Sequence, residues 1–169
     1  EPPSGEGRYI VAGRYVAVAH LLGMPLNHLT TILNEIHGRP YRYWRVGTKL
    51  RGVDSRWQLM QAKDCVAVGW PDLGDLSSIR YNRESKEKVR ALMHQHYPST
   101  PQTVGYQTQQ LFNFVTVIKE RDVVLAADGM QILGIGCVTG EYEFQPGSDA
   151  PHRRPVKWIS WEEWELPSS

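Results

Sequence analysis

The sequence predicts an α+β fold: a small, mixed, open β-barrel with flanking helices and an added N-terminal helical hairpin. Three observations carry this expectation. Two apolar runs meet at Asp128-Gly129, the signature of a β-hairpin. Short period-two stretches are interleaved with helical ones instead of being gathered in one half of the chain. The 169 residues suffice for one well-buried core and leave too little for a second full domain.

In order along the chain, residues 1–8 are a linker rich in Pro, Gly, Ser and Glu. Residues 9–40 read as a helical extension packed on the main domain. Leu26, Leu29, Ile32, Leu33 and Ile36 recur at spacings of three and four, and Gly38 and Pro40 stop the second helix. The pair has the outline of a helix-turn-helix, but its second helix carries too few basic residues for a DNA groove, which favours a packing hairpin. The main domain spans 41–166. It opens with the strand YRYWRV (41–46), a loop, and the short helix RWQLMQA (56–62). CVAVGW (65–70) is a buried strand stopped by Pro71, and a loop of turn formers follows. SKEKVRALMHQHY (85–97) is an amphipathic helix with Val89, Leu92 and Met93 on one side; STPQT breaks it, and YQTQQLFNFVTVI (106–118) is helical again. DVVLAA (122–127) and MQILGIGCV (130–138) form the hairpin, with Asp128-Gly129 as a type I′ turn, and PVKWISW (155–161) supplies the last strand.

Composition narrows the function. A formal net charge of +1 means that nucleic-acid contact must come from local clusters, not a global field. Cys65 and Cys137 lie in apolar runs, as reduced thiols of a cytoplasmic protein do. No apolar run is long enough for a membrane span. The chain begins EPPSGEG instead of with Met, as expected for a piece of a longer protein.

Few residues suggest catalysis. The histidines do not fall at metal-ligand spacing, no phosphate loop is present, and Gly134-Ile135-Gly136 lies inside a hairpin and does not open a helix. Glycines there imply close approach of another group. The expected site has no metal and no cofactor. Six tryptophans are more telling: Trp158 and Trp161 are expected in the core, whereas Trp70 sits where the chain leaves a strand before Pro71 and can line a rim. His152, Arg153, Arg154 and Lys157, near Tyr142 and Phe144, interleave cations with rings, a combination suited to phosphates and stacked bases.

WRVG, CVAVGW, RDVVLAADGMQILGIGCVTGEYEF and HRRPVKW together resemble the EVE-like and YTH-like domains of the PUA superfamily. More narrowly, residues 41–161 are similar to the specificity domains of McrB-type modification-dependent restriction GTPases. Where those carry Gly-Asp before the third strand, this chain has Arg121-Asp122, which implies an altered turn. The resemblance implies a reader of double-stranded DNA that flips a methylated or hydroxymethylated base into an aromatic cage. It assigns Trp70, Phe144 and Tyr142 to the cage, with Trp57 either closing it or anchoring its own helix. YTH-like domains place tryptophans in the loop from Tyr142 to Arg154, and this chain has none. Gly47 and Thr48 would bond the base edge, and His152, Arg153, Arg154, Lys49 and Arg51 would hold phosphates. The implied partners are a fused or associated AAA-type GTPase and a nuclease subunit, with no membrane. Two other readings stay open: an RNA methyladenine reader, and an amidohydrolase of modified nucleosides using Thr48, Lys49 and Glu141.

Overall fold

A computed structural model describes residues 42–49 and 54–165. The expected linker 1–8, the helical extension 9–40 and Arg51 lie outside the described residues. The strands are β1 (Tyr43–Gly47), β2 (Cys65–Val68), β3 (Val123–Asp128), β4 (Gln131–Val138), β5 (Glu143–Phe144), β6 (His152–Ser160) and β7 (Trp164–Glu165). The α-helices are α1 (Trp57–Ala62), α2 (Arg83–His96) and α3 (Pro101–Thr116), and Pro71–Leu73 make a 3-10 turn.

The sheet runs β1-β3-β4-β6-β2, with β5 on β6 and β7 on β4. Only β1–β3 is parallel among these pairs, so the sheet is mixed. β1 and β2, at the two ends of the order, touch each other, which curls the sheet into an open half-barrel. Its inside is filled by Trp44, Val46, Met60, Val66, Val124, Val138 and Val156. A second cluster, including Leu73, Leu76, Val89, Met93, Leu111 and Phe112, cements α2 and α3 to the loop after β2; Tyr142 packs against both clusters.

Several boundaries differ from expectation for identifiable reasons. Helix α3 begins five residues early because Thr100 accepts from the Thr103 N–H and Pro101 stands at N1, a start signal rather than a break. Asn82 caps α2 in the same way, through Ser85 N–H at 2.8 Å. The β3–β4 turn is shifted by one residue: Asp128 pairs with Gln131, so Gly129-Met130 form the loop. Gly129 has φ +58° and Met130 is not in the positive region, the pattern of a type II′ turn, not I′. The close approach at the β4 glycines comes from the chain's own tryptophans. A Cβ on Gly134 would collide with the Trp57 ring, and one on Gly136 would lie 3.0 Å from Trp158 Cε3.

Strand β6 starts at His152, three residues before the expected start at Pro155. Pro155 is accommodated because Val156 N–H bonds Asp64 O, leaving Pro155 opposite Cys65 at a non-bonding position of that pair. On its other side Thr139 N–H bonds Pro155 O just past the end of β4, so the missing proline N–H falls where the ladder stops. The cost is small there.

Candidate nucleic-acid interface

Three of the four expected cage residues meet, Tyr142 and Phe144 through their rings and Trp70 through its carbonyl, but around a side chain of the protein itself. His152 is fully buried. The Tyr142 ring stacks on it at 5.8 Å and 25°, and Phe144, its partner across β5–β6, lies tilted at 5.6 Å. Its Nε2 is 3.2 Å from the Trp70 carbonyl and its Nδ1 is 2.7 Å from Tyr142 Oη. A carbonyl can only accept, so Nε2 carries the proton and Nδ1 accepts from Tyr142, whose oxygen accepts in turn from Leu76 N–H at 3.3 Å. Every group in this chain is matched when the imidazole is neutral. Desolvation accordingly lowers the His152 pKa, and desolvation likewise pushes the Tyr142 phenol up to about 12. Trp70 takes φ +65°, an uncommon conformation for a bulky residue, and the His152 bond fixes its carbonyl there.

The expected base-edge residues stand elsewhere. β3 and β6 both run antiparallel to β4, so the end of β3 and the start of β6 are at opposite ends of the sheet. Gly47 pairs with Ala127 at the end of β3, while Val68 pairs with His152 at the start of β6. Thr48 is fully buried, and both its N–H (2.9 Å) and its hydroxyl (3.3 Å) donate to Ala127 O. It therefore has no donor to offer a base. Trp57 packs edge-on against Trp158 at 4.9 Å. Trp158 lies six residues past His152, about 20 Å of extended strand, which places Trp57 as an anchor of α1 and not with Trp70. The Thr48, Lys49 and Glu141 set is likewise not assembled, because Glu141 follows the far end of β4.

The expected phosphate residues are also mostly committed. Residues 152, 154 and 156 of β6 face inward because the strand starts at His152. Arg154 is 2% exposed and bonds Phe114 O (3.1 Å) and Val115 O (2.6 Å), capping the last turn of α3 with a cation. Desolvation lowers its pKa. Arg153 holds its own loop through Ala150 O and Ser148 Oγ, and Lys49 pairs with Asp128 at 2.9 Å. His152 and Arg154 are thus structural residues, a correction to the reading of HRR as an exposed basic loop. Trp161 is corrected the other way: 57% exposed, it is not core.

What remains open is a groove of about 730 Å³ between the 77–81 loop, the end of α3, the 118–121 turn and Glu141-Tyr142, in which the cations Arg80, Lys119, Arg121 and Arg154 outnumber the carboxylates Glu120 and Glu141. Arg80, Lys119 and Arg121 line it, and none makes an ion pair with a described residue. Among the described residues the Arg80 guanidinium bonds only the carbonyls of Ser77 and Ile79. Tyr81 stacks one face on buried Phe112 at 5.7 Å and 29°, yet is 74% exposed, so its other face is open at the groove. Sequence reasoning missed this tyrosine, although IRYNR has the same interleaving of cations and a ring that drew notice at HRR.

Among the described residues no group of three or more His, Cys, Asp or Glu is placed to hold a metal ion, and no helix is long and apolar enough to cross a membrane. Comparison with curated proteins returns no match. The half-barrel with its helices is itself the shared unit: residues 44–168, from β1 past β7, match the family described as a domain of unknown function, DUF8426, and the chain belongs to that family.

Proposed function

We propose that this domain binds nucleic acid by taking an unstacked base onto Tyr81 while cations of the adjoining groove engage its phosphates. The observation that carries this reading is a highly exposed ring, backed by Phe112, at the edge of a groove in which Arg80, Lys119 and Arg121 make no ion pair with a described residue. A base can use that face only when it has left its own stack, in a single strand or by flipping from a duplex. Flipping costs a few kcal/mol, which stacking of about 1–3 kcal/mol and phosphate contacts offset. The finer reading, a methylated or hydroxymethylated base in double-stranded DNA and a role in targeting a McrB-type GTPase and nuclease, is supported by the sequence resemblance alone.

The test compares duplex DNA with and without a modified base, and RNA carrying methyladenine, by fluorescence anisotropy at fixed salt. Modified duplex should bind best, and Tyr81→Ala should weaken it about 5- to 150-fold while circular dichroism is unchanged. Preference for RNA would replace the DNA reading. Unchanged affinity in Tyr81→Ala would remove the groove as the site.

A further inference from the structure

We propose that Arg121 is a phosphate-binding residue of the groove, presented there by a left-handed backbone that the fold alone would give to glycine. The inference rests on the reading of the groove as a nucleic-acid site. Residues 119–122 form a tight turn: Asp122 N–H bonds Lys119 O at 3.0 Å, and Arg121 occupies its third position with φ +72°. Glu120 is not in the positive region, so the turn follows the type II pattern, whose third position favours glycine. The turn is held by the buried Asp122 carboxylate, which accepts from Lys119 N–H, Arg42 and Trp44 Nε1, and by Arg121 N–H bonding Val138 O at 2.8 Å.

Each of these contacts uses the Arg121 backbone or its neighbours. The guanidinium makes no hydrogen bond or ion pair to a described residue and lines the groove together with Lys119 and Arg80. The backbone strain therefore gains the fold nothing through this side chain. Strain of this kind persists where the surrounding structure enforces it and the side chain serves a site. The enforced turn fixes the direction in which the Arg121 side chain leaves the backbone, and the planar fork of its guanidinium suits two phosphate oxygens. The recognised chemistry is a phosphate oxygen pair, whether from a nucleic-acid backbone or from a chain of bare phosphates.

Arg121→Ala and Arg121→Gly both remove the guanidinium, but only glycine relieves the backbone. Binding of a short single-stranded DNA and of inorganic polyphosphate is measured across a salt series, alongside thermal unfolding. Both variants should bind DNA about tenfold more weakly, with a salt slope shallower by about 0.7. Arg121→Gly should melt about 2–4 °C above Arg121→Ala. Unchanged DNA binding in Arg121→Ala, with loss in Arg80→Ala and Lys119→Ala, overturns the assignment of Arg121 and leaves the groove standing. Polyphosphate binding that depends on Arg121, without DNA binding, keeps the phosphate residue and overturns the nucleic-acid reading. Absence of both overturns both, and equal melting of the two variants overturns the claim of strain.

Discussion

His152→Leu provides the sharpest test of the hydrogen-bonded centre. Leucine fills most of the imidazole volume, so the loss is chiefly polar. The Trp70 carbonyl loses its donor and the Tyr142 hydroxyl loses its acceptor, while Tyr142 keeps the Leu76 N–H. Leaving a buried group unpaired costs about 1–3 kcal/mol, and the carbonyl has some freedom to find water at the half-buried Trp70. The expected destabilisation at pH 7.5 is about 2–4 kcal/mol. A second signature separates this mechanism from simple loss of packing. The folded-state pKa of His152 lies below its ordinary value of 6.5, so the unfolded chain binds the extra proton. Stability from the neutral ring is then complete above about pH 6.5 and is lost as pH falls toward the folded pKa, at no more than about 1.4 kcal/mol per pH unit. Leucine has no such dependence, so the gap between wild type and variant should narrow from pH 7 to pH 5. Urea unfolding followed by tryptophan fluorescence at several pH values measures it. A gap that stays constant over that range, or widens, would refute the neutral buried histidine.

Other perturbations address the frame around the groove. Arg154→Met should destabilise by about 2–3 kcal/mol, because the terminal carbonyls of α3 lose their donors, and Arg154→Lys should recover only part of this in the same denaturation assay. Asp122→Ala should cost about 2–4 kcal/mol, since Trp44 Nε1 and Lys119 N–H are left unpaired while Arg42, partly exposed, reaches water. Gly134→Ala should lower stability by about 1–3 kcal/mol through collision with Trp57, and thermal melts of Gly134→Ala in a Trp57→Phe background should show a smaller penalty.

The frame was legible because period-two and helical runs alternate cleanly: the succession along the chain of the five main strands and the three described α-helices can be read from apolar spacing and turn residues. Boundaries were lost where two local signals compete. Thr100-Pro101 looks like a break after Pro98 but is a cap with Pro at N1. Pro155 looks like the start of a strand but sits inside it, at a position where the missing N–H costs little. That single misplacement decided the fate of the basic cluster, because starting β6 three residues earlier sends His152 and Arg154 inward by alternation. The end-of-strand residues Gly47 and Thr48 could not be separated from Trp70 without knowing the strand order, which places them at opposite ends. Tyr81 gave no periodic signal, since its exposure depends on the long-range contact with Phe112.

Magnitudes decide between the two places where a base could stack. Three of the expected cage residues surround His152, so a base entering there must first expel the imidazole. That breaks the bonds to Trp70 and Tyr142, at about 2–4 kcal/mol, on top of the few kcal/mol of unstacking that any flipped base requires. Stacking returns only about 1–3 kcal/mol per base, so the sum is unfavourable before any phosphate is engaged. At Tyr81 no side chain has to leave: one face is already supported by Phe112 and the other is open. The cations belong to that side too, since Arg80, Lys119 and Arg121 line the groove at Tyr81, whereas Arg154 holds the end of α3 and Arg153 its own loop. The rings around His152 are then best understood as the device that fixes the Trp70 backbone and, through Tyr142, one wall of the groove proposed for the base.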